Sequence, residues 1–197
     1  RDYKVTGVQT CALPIYITTL QFADVMTSFK ARTGRSMDIV AFDACLMAMA
    51  EVVDGLVGSV DYVLAAEEVV PGMGQPYDGF LNAFTGREKK SPRVYAQDWV
   101  REFGLSYSGG SQGVASFTMS ALDLSKFEAM KRKFNLWMDS LHTRSGLSED
   151  EIKKAAAETL SFYDSDYRDL GDYVRRLLKL KLKKDEMTMR DARAIKA

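Results

Sequence analysis

The chain has 197 residues and a mass of 22.0 kDa, with 46% hydrophobic and 27% charged residues, the make-up of one ordinary globular domain. Lys plus Arg number 27 and Asp plus Glu 27, so the formal net charge is zero, which argues against a broadly basic nucleic-acid binder and against an acidic tail protein. One histidine, His142, and two cysteines outside any CxxC pair, Cys11 and Cys45, argue against a His-rich metal site and a disulfide scaffold.

No apolar run reaches the roughly 18 residues that span a bilayer; the best, Ile39 to Val53, is interrupted by Asp43 and Glu51. Residues 1–16 have neither helical nor strand periodicity. The stretch VTGVQTCALPI resembles translated sequencing-adapter read-through, so this segment and Cys11 are set aside from fold reasoning. The domain proper is expected over 17–180, followed by a Lys-rich helical tail at 181–197 with no stop signal.

Thr18 to Arg32 carries Leu20, Ala23, Met26 and Phe29 at helical spacing before Gly34. Met37 to Ala44 reads as a buried strand, Leu46 to Leu56 as a helix, and Asp61 to Ala65 as a second strand. PGMGQPYDG is a loop. Ser91-Pro92 opens an amphipathic helix to Tyr107, and YSGGSQG is a second loop. Val114 to Leu122 is a third strand. A long helix follows, with Phe127, Met130, Phe134, Trp137 and Leu141 as its apolar stripe. Ser148 and Glu151 form a capping-box pattern, and Asp169 to Leu180 is a last helix. Strands alternating with helices predict an α/β fold with a mostly parallel sheet.

The segment IVAFDACLMAMAEVV holds the chemistry. If the strand runs through Cys45, Asp43 and Cys45 project to one side. Cys45 would then sit at the carboxyl edge of the sheet, where open α/β folds place their sites. A helix starting there would favour its thiolate, and the Cys45 N–H would be placed to help an oxyanion. A carboxylate in an apolar strand is costly unless paired or solvated, so Asp43 suits a pocket for a cation; capping the next helix is the other use for it. A free cysteine is also a common core residue. A sulfur nucleophile wants a base, and His142 lies far along the long helix.

FDACLMAMAEV resembles the block around the nucleophile of the clostripain-type cysteine peptidases, a bacterial branch of the caspase-like proteases. DYVLAAEEVVPGMGQPYDGFL resembles the family's strand leading into a Pro/Gly loop, VASFTMSALDLSKFEAM its later strand and helix, and ETLSFYDSDYRDLGDYV its C-terminal pattern. The resemblance implies a caspase-like α/β/α sandwich, incomplete at its N-terminal side, and a Cys–His dyad that cuts peptides and proteins after Arg or Lys. Cys45 falls on the nucleophile and Asp43 on the acidic residue of the basic-side-chain pocket. Glu67, Glu68 and Asp78 border the same loop, and Glu68 and Asp78 are the added candidates for substrate binding.

The family's histidine lies upstream of its cysteine, and no histidine precedes Cys45 here; the role does not pass to His142. The expectation is therefore a truncated reading frame, inactive alone, with an exposed sheet edge prone to aggregate. The resemblance also implies a secreted, cell-surface or periplasmic setting, a response to calcium, and self-cleavage at a basic site such as Arg87, Lys89 and Lys90. No cofactor is evident in the residues, and Asp164, Ser165 and Asp166 form no EF-hand loop. The competing readings are a non-catalytic module that holds basic peptides in an acidic pocket, and a bare α/β fragment with Cys45 in its core.

Overall fold

The computed structural model describes residues 17–85, 89–144 and 147–180, together with Arg190 and Arg193. The segment 1–16 with Cys11, Arg87 of the basic loop, and nearly all of the tail at 181–197 lie outside the described residues. Helix α1 (Thr19–Thr33) opens on a capping box between Thr18 and Gln21 and closes at Gly34, whose φ of 71° suits glycine. Strand β1 (Met37–Ala41) pairs in parallel with β2 (Val60–Ala65), from Met37 opposite Val60 to Ala41 opposite Leu64. Strand β5 (Ser120–Asp123) runs antiparallel to β2 on its other side, so the sheet order is β1-β2-β5.

Helices cover both faces. Alternation along β2 sends Val63 and Ala65 into a cluster with Val53, Leu56 and Leu124, against which Phe22 and Met26 of α1 pack. Leu64, fully buried between them, points to the opposite face. There α4 (Pro92–Tyr107) packs across β1, β2 and β5. Its start is the expected one: Ser91 accepts a hydrogen bond from the Val94 N–H, with Pro92 in the first turn. The fold is the mixed α/β class expected from the sequence.

Five parts of the chain differ from the sequence reading. Strand β1 ends at Ala41 rather than Ala44, and α2 is only Ala50–Asp54. Between them the chain turns, with Leu46 at φ 63°, a conformation that ends a helix before it begins. The backbone donors are used across space instead: Leu46 N–H reaches the Glu68 carbonyl at 3.4 Å and Ala48 N–H the Ala66 carbonyl at 3.0 Å. The Pro/Gly loop runs directly into α3 (Tyr77–Phe84), which Phe80 anchors by stacking on Trp99 at 3.9 Å between centroids. The YSGGSQG loop is a small hairpin of β3 (Ser108–Gly110) and β4 (Gly113–Val114). The stretch from Ala115 to Met119 is not strand, because Ala115, Phe117 and Met119 pack on Phe103 and Tyr107 of α4.

The chain continues through α5 (Leu124–Arg144), α6 (Glu149–Glu158) and α7 (Leu170–Lys179). The second half of α5 joins α6 and α7 around a separate core of Trp137, Leu141, Ala155, Val174 and Leu177. Ser148 and Glu151 form the expected capping box of α6.

Candidate active site

The carboxyl ends of β1 and β2 carry the site. The Phe42 N–H bonds to the Leu64 carbonyl at 2.9 Å, which extends the strand pairing by one residue and sets where Asp43 leaves the sheet. Asp43 is exposed; Cys45, two residues on, is half-buried and free. The helix α2 starts at Ala50, so no helix N-terminus stands behind the thiol as the sequence reading expected. The partner of the sulfur is instead the Val70 backbone N–H, which donates to Sγ at 3.3 Å. Val70 lies in the segment after β2, held by Thr118, whose hydroxyl accepts from the N–H groups of Glu67 and Glu68 at 3.0 and 2.9 Å.

Asp43 meets the Pro/Gly loop. The Tyr77 hydroxyl donates to its Oδ2 at 2.8 Å. Gly74 lies against the carboxylate: a Cβ there would stand 3.0 Å from Oδ2 and 3.1 Å from Oδ1, and φ of 68° already disfavours a side chain. The loop is clamped from behind. The buried Tyr107 hydroxyl donates to the Gly74 carbonyl at 2.7 Å, and Gln112 Nε2 donates to the Met73 carbonyl at 3.0 Å. Gln75, 3% exposed, donates to the Phe42 carbonyl and accepts from the Trp99 indole, both at 3.1 Å. Both tyrosines are harder to ionise than usual. For Tyr77 the main cause is its hydrogen bond to Asp43; for Tyr107 it is burial, with the Asp43 charge second.

The other predicted acidic residues sit differently. Glu68 Oε1 accepts from the backbone N–H groups of Val69 at 2.8 Å and Tyr163 at 3.0 Å, which ties the turn after β2 to the segment before α7. Asp78 is exposed in the first turn of α3 and lines a cleft of about 520 Å³ with Tyr77, Gln75, Glu102 and Gln112. Glu67 lines a different, more apolar cavity of about 740 Å³ bordered by Met49, Phe127, Phe134 and Tyr173. Burial, and then the nearby charge of Asp169, raises its pKa. That cavity is larger, but it contains neither Asp43 nor Cys45.

The structure thus brings Asp43 to the Gly74–Tyr77 turn and Cys45 to Val70, and it leaves His142 along α5. Tyr77, Gln75, Tyr107 and Thr118 were missed by the sequence reading. The density of Pro and Gly after β2 was the signal that this loop closes on something. Lys90 of the basic loop is paired with Asp98 at 2.6 Å. Among the described residues no group of three or more His, Cys, Asp or Glu side chains stands where it could hold a metal ion.

A mixed α/β fold that presents a half-buried thiol and an exposed carboxylate at the sheet's carboxyl edge fits a cysteine hydrolase, and the comparisons agree. The clostripain family model, peptidase family C11, matches residues 15–188, and the chain belongs to this family of cysteine peptidases. Comparison with curated proteins gave no match. Among solved structures, a clostripain from Bacteroides thetaiotaomicron in complex with the peptide inhibitor BTN-VLTK-AOMK is similar at a TM-score of 0.62 and 18% identity, over 91% of this chain and 71% of that one. A cysteine protease of B. fragilis matches at 0.62 and 16%, over 96% and 74%. A secreted C11 cysteine protease from B. thetaiotaomicron, bound to an irreversible peptide inhibitor, matches at 0.62 and 18%, over 91% and 46%. Among the described residues no helix is long and apolar enough to cross a membrane.

Proposed function

We propose that the protein is an exported endopeptidase that cuts after Arg or Lys. Cys45 is the nucleophile and Asp43 receives the substrate's basic side chain. The observation that carries this reading is the pairing of sites two residues apart: a thiol that accepts a backbone N–H, beside a carboxylate that is exposed and lies against a glycine. An exposed carboxylate suits a guanidinium or an ammonium, whose charge-assisted hydrogen bonds select a cation over a neutral side chain. Asp78, at the start of α3, adds negative charge on the approach, and Glu68 acts by holding the turn after β2. The peptide inhibitor on the B. thetaiotaomicron clostripain ends its peptide portion in Lys, which agrees with such a preference.

In the proposed reaction the Cys45 thiolate attacks the scissile carbonyl and forms an acyl-enzyme. A histidine, which the family resemblance places before Cys45 in the full-length protein, protonates the leaving amine. Water then releases the acid and the thiol.

The test is an assay of the full-length protein on matched peptide amides that differ only in Arg, Lys or Glu before the scissile bond. Arg and Lys substrates should be cleaved about ten- to a hundredfold faster than Glu, since a charge-assisted contact is worth about 1.5–3 kcal/mol. Cys45→Ala should abolish cleavage, and Asp43→Asn should remove the preference for basic residues. Equal hydrolysis by the Cys45→Ala protein would falsify the assignment of the nucleophile.

A further inference from the structure

Resting on the reading of Asp43 as the receptor for a basic side chain, we infer that Tyr77 is a specificity-determining residue that biases this site toward Lys over Arg. The Tyr77 hydroxyl occupies Asp43 Oδ2 at 2.8 Å, and among the described residues Oδ1 has no hydrogen-bond partner. Gly74 backs one side of the carboxylate so closely that a Cβ there would stand 3.0 and 3.1 Å from its oxygens. A planar guanidinium binds best as a fork, two parallel N–H groups on the two oxygens of one carboxylate. With Oδ2 engaged and one side closed, that fork has to displace or share the phenol.

An ammonium has no such requirement. It is a compact charge with three donors. It can bond to Oδ1 and to the lone pairs of the Tyr77 oxygen, which still accepts while its hydrogen is donated to Asp43. Tyr77 is 53% exposed, and its backbone is anchored on both sides. Phe80, three residues on, is buried and stacked on Trp99, and the Tyr77 N–H bonds to the Gln75 carbonyl at 2.9 Å. Tyr107 and Gln112 hold the preceding turn at the Gly74 carbonyl. These anchors place the hydroxyl as a donor at one oxygen of the carboxylate.

The experiment measures kcat/KM of the full-length protein on a matched Arg and Lys peptide pair. The Arg:Lys ratio is independent of the fraction of active enzyme. Tyr77→Phe removes only the hydroxyl and should raise the Arg:Lys ratio about three- to tenfold, the net worth of one ordinary hydrogen bond. Tyr77→Leu should move it in the same direction. An unchanged or lowered ratio in Tyr77→Phe overturns the inference, and so does a shift seen only in Tyr77→Leu, which would assign the effect to the ring. Asp43→Asn separates this result from the reading beneath it. If that variant keeps the preference for basic over acidic substrates, Asp43 is not the receptor and the role of Tyr77 falls with it. If the preference is lost while Tyr77→Phe leaves the Arg:Lys ratio alone, the receptor stands and only the tuning by Tyr77 fails.

Discussion

Around Asp43 the chain is fixed by single polar atoms: one phenol on the carboxylate, one amide between Phe42 and Trp99, one buried hydroxyl on the Gly74 carbonyl. Around Trp137 it is fixed by buried apolar surface, with ion pairs such as Arg176 to Asp172 at 2.8 Å on its rim. The first region is directional, so the loss of one atom misplaces a group without unfolding much. The second is non-directional, so it depends on volume and responds to changes in size. A site needs the first kind of construction and a scaffold tolerates the second.

The largest effect expected from this contrast is at Trp137. It is fully buried, and its Nε1 has no hydrogen-bond partner among the described residues. Trp137→Ala should cost about 3–5 kcal/mol, seen as a lower urea midpoint. Trp137→Phe should cost much less, because the unpaired indole N–H is no longer buried. Neither should change the preference for basic substrates in the protein that remains folded. A change in preference as large as the loss of stability would break the comparison.

Gly74→Ala should do the reverse. The strained φ costs about 1–2 kcal/mol, and the added methyl meets the Asp43 oxygens directly. The expected result is a modest fall in the unfolding midpoint with a much larger loss in kcat/KM for Arg and Lys substrates. A variant equally impaired on all substrates would show that Gly74 serves the fold alone.

The smallest effect concerns acid. Arg176, and then the Leu160 N–H, hold Asp172 at a pKa of about 2, below its ordinary 3.8. A depressed carboxylate stabilises the folded state above its unfolded pKa. That contribution is lost as pH falls from about 4 to about 2. Unfolding midpoints measured across this window should fall less steeply in Asp172→Asn than in the native protein. Equal slopes would show that the rim ion pairs add nothing to the helical core.

Much of the scaffold was legible because burial leaves a period. The apolar stripe of α5, the capping box at Ser148 and the Ser-Pro start of α4 all stand where their spacing put them. The stretch from Leu46 to Met49 misled because its apolar residues serve the core from a turn rather than a helix. Helix α3 hid behind Pro76, whose loop signal extended into the first helical turn. At the site, the closeness of Asp43 and Cys45 could be read directly. Their partners could not, since a hydrogen bond from Tyr77 to Asp43 or from Gln75 to Phe42 joins residues more than 30 apart and leaves no local pattern.

Gln75 has a mechanical consequence. Its amide needs both ends at once, a donor for the Phe42 carbonyl and an acceptor for the Trp99 indole, and neither Glu nor Leu offers both. The helix α4 and the exit of β1 are thereby joined through one rigid link. A displacement of α4 is transmitted to the residue before Asp43, so remote positions along that helix become handles by which selection, or an engineer, can retune the site without touching it.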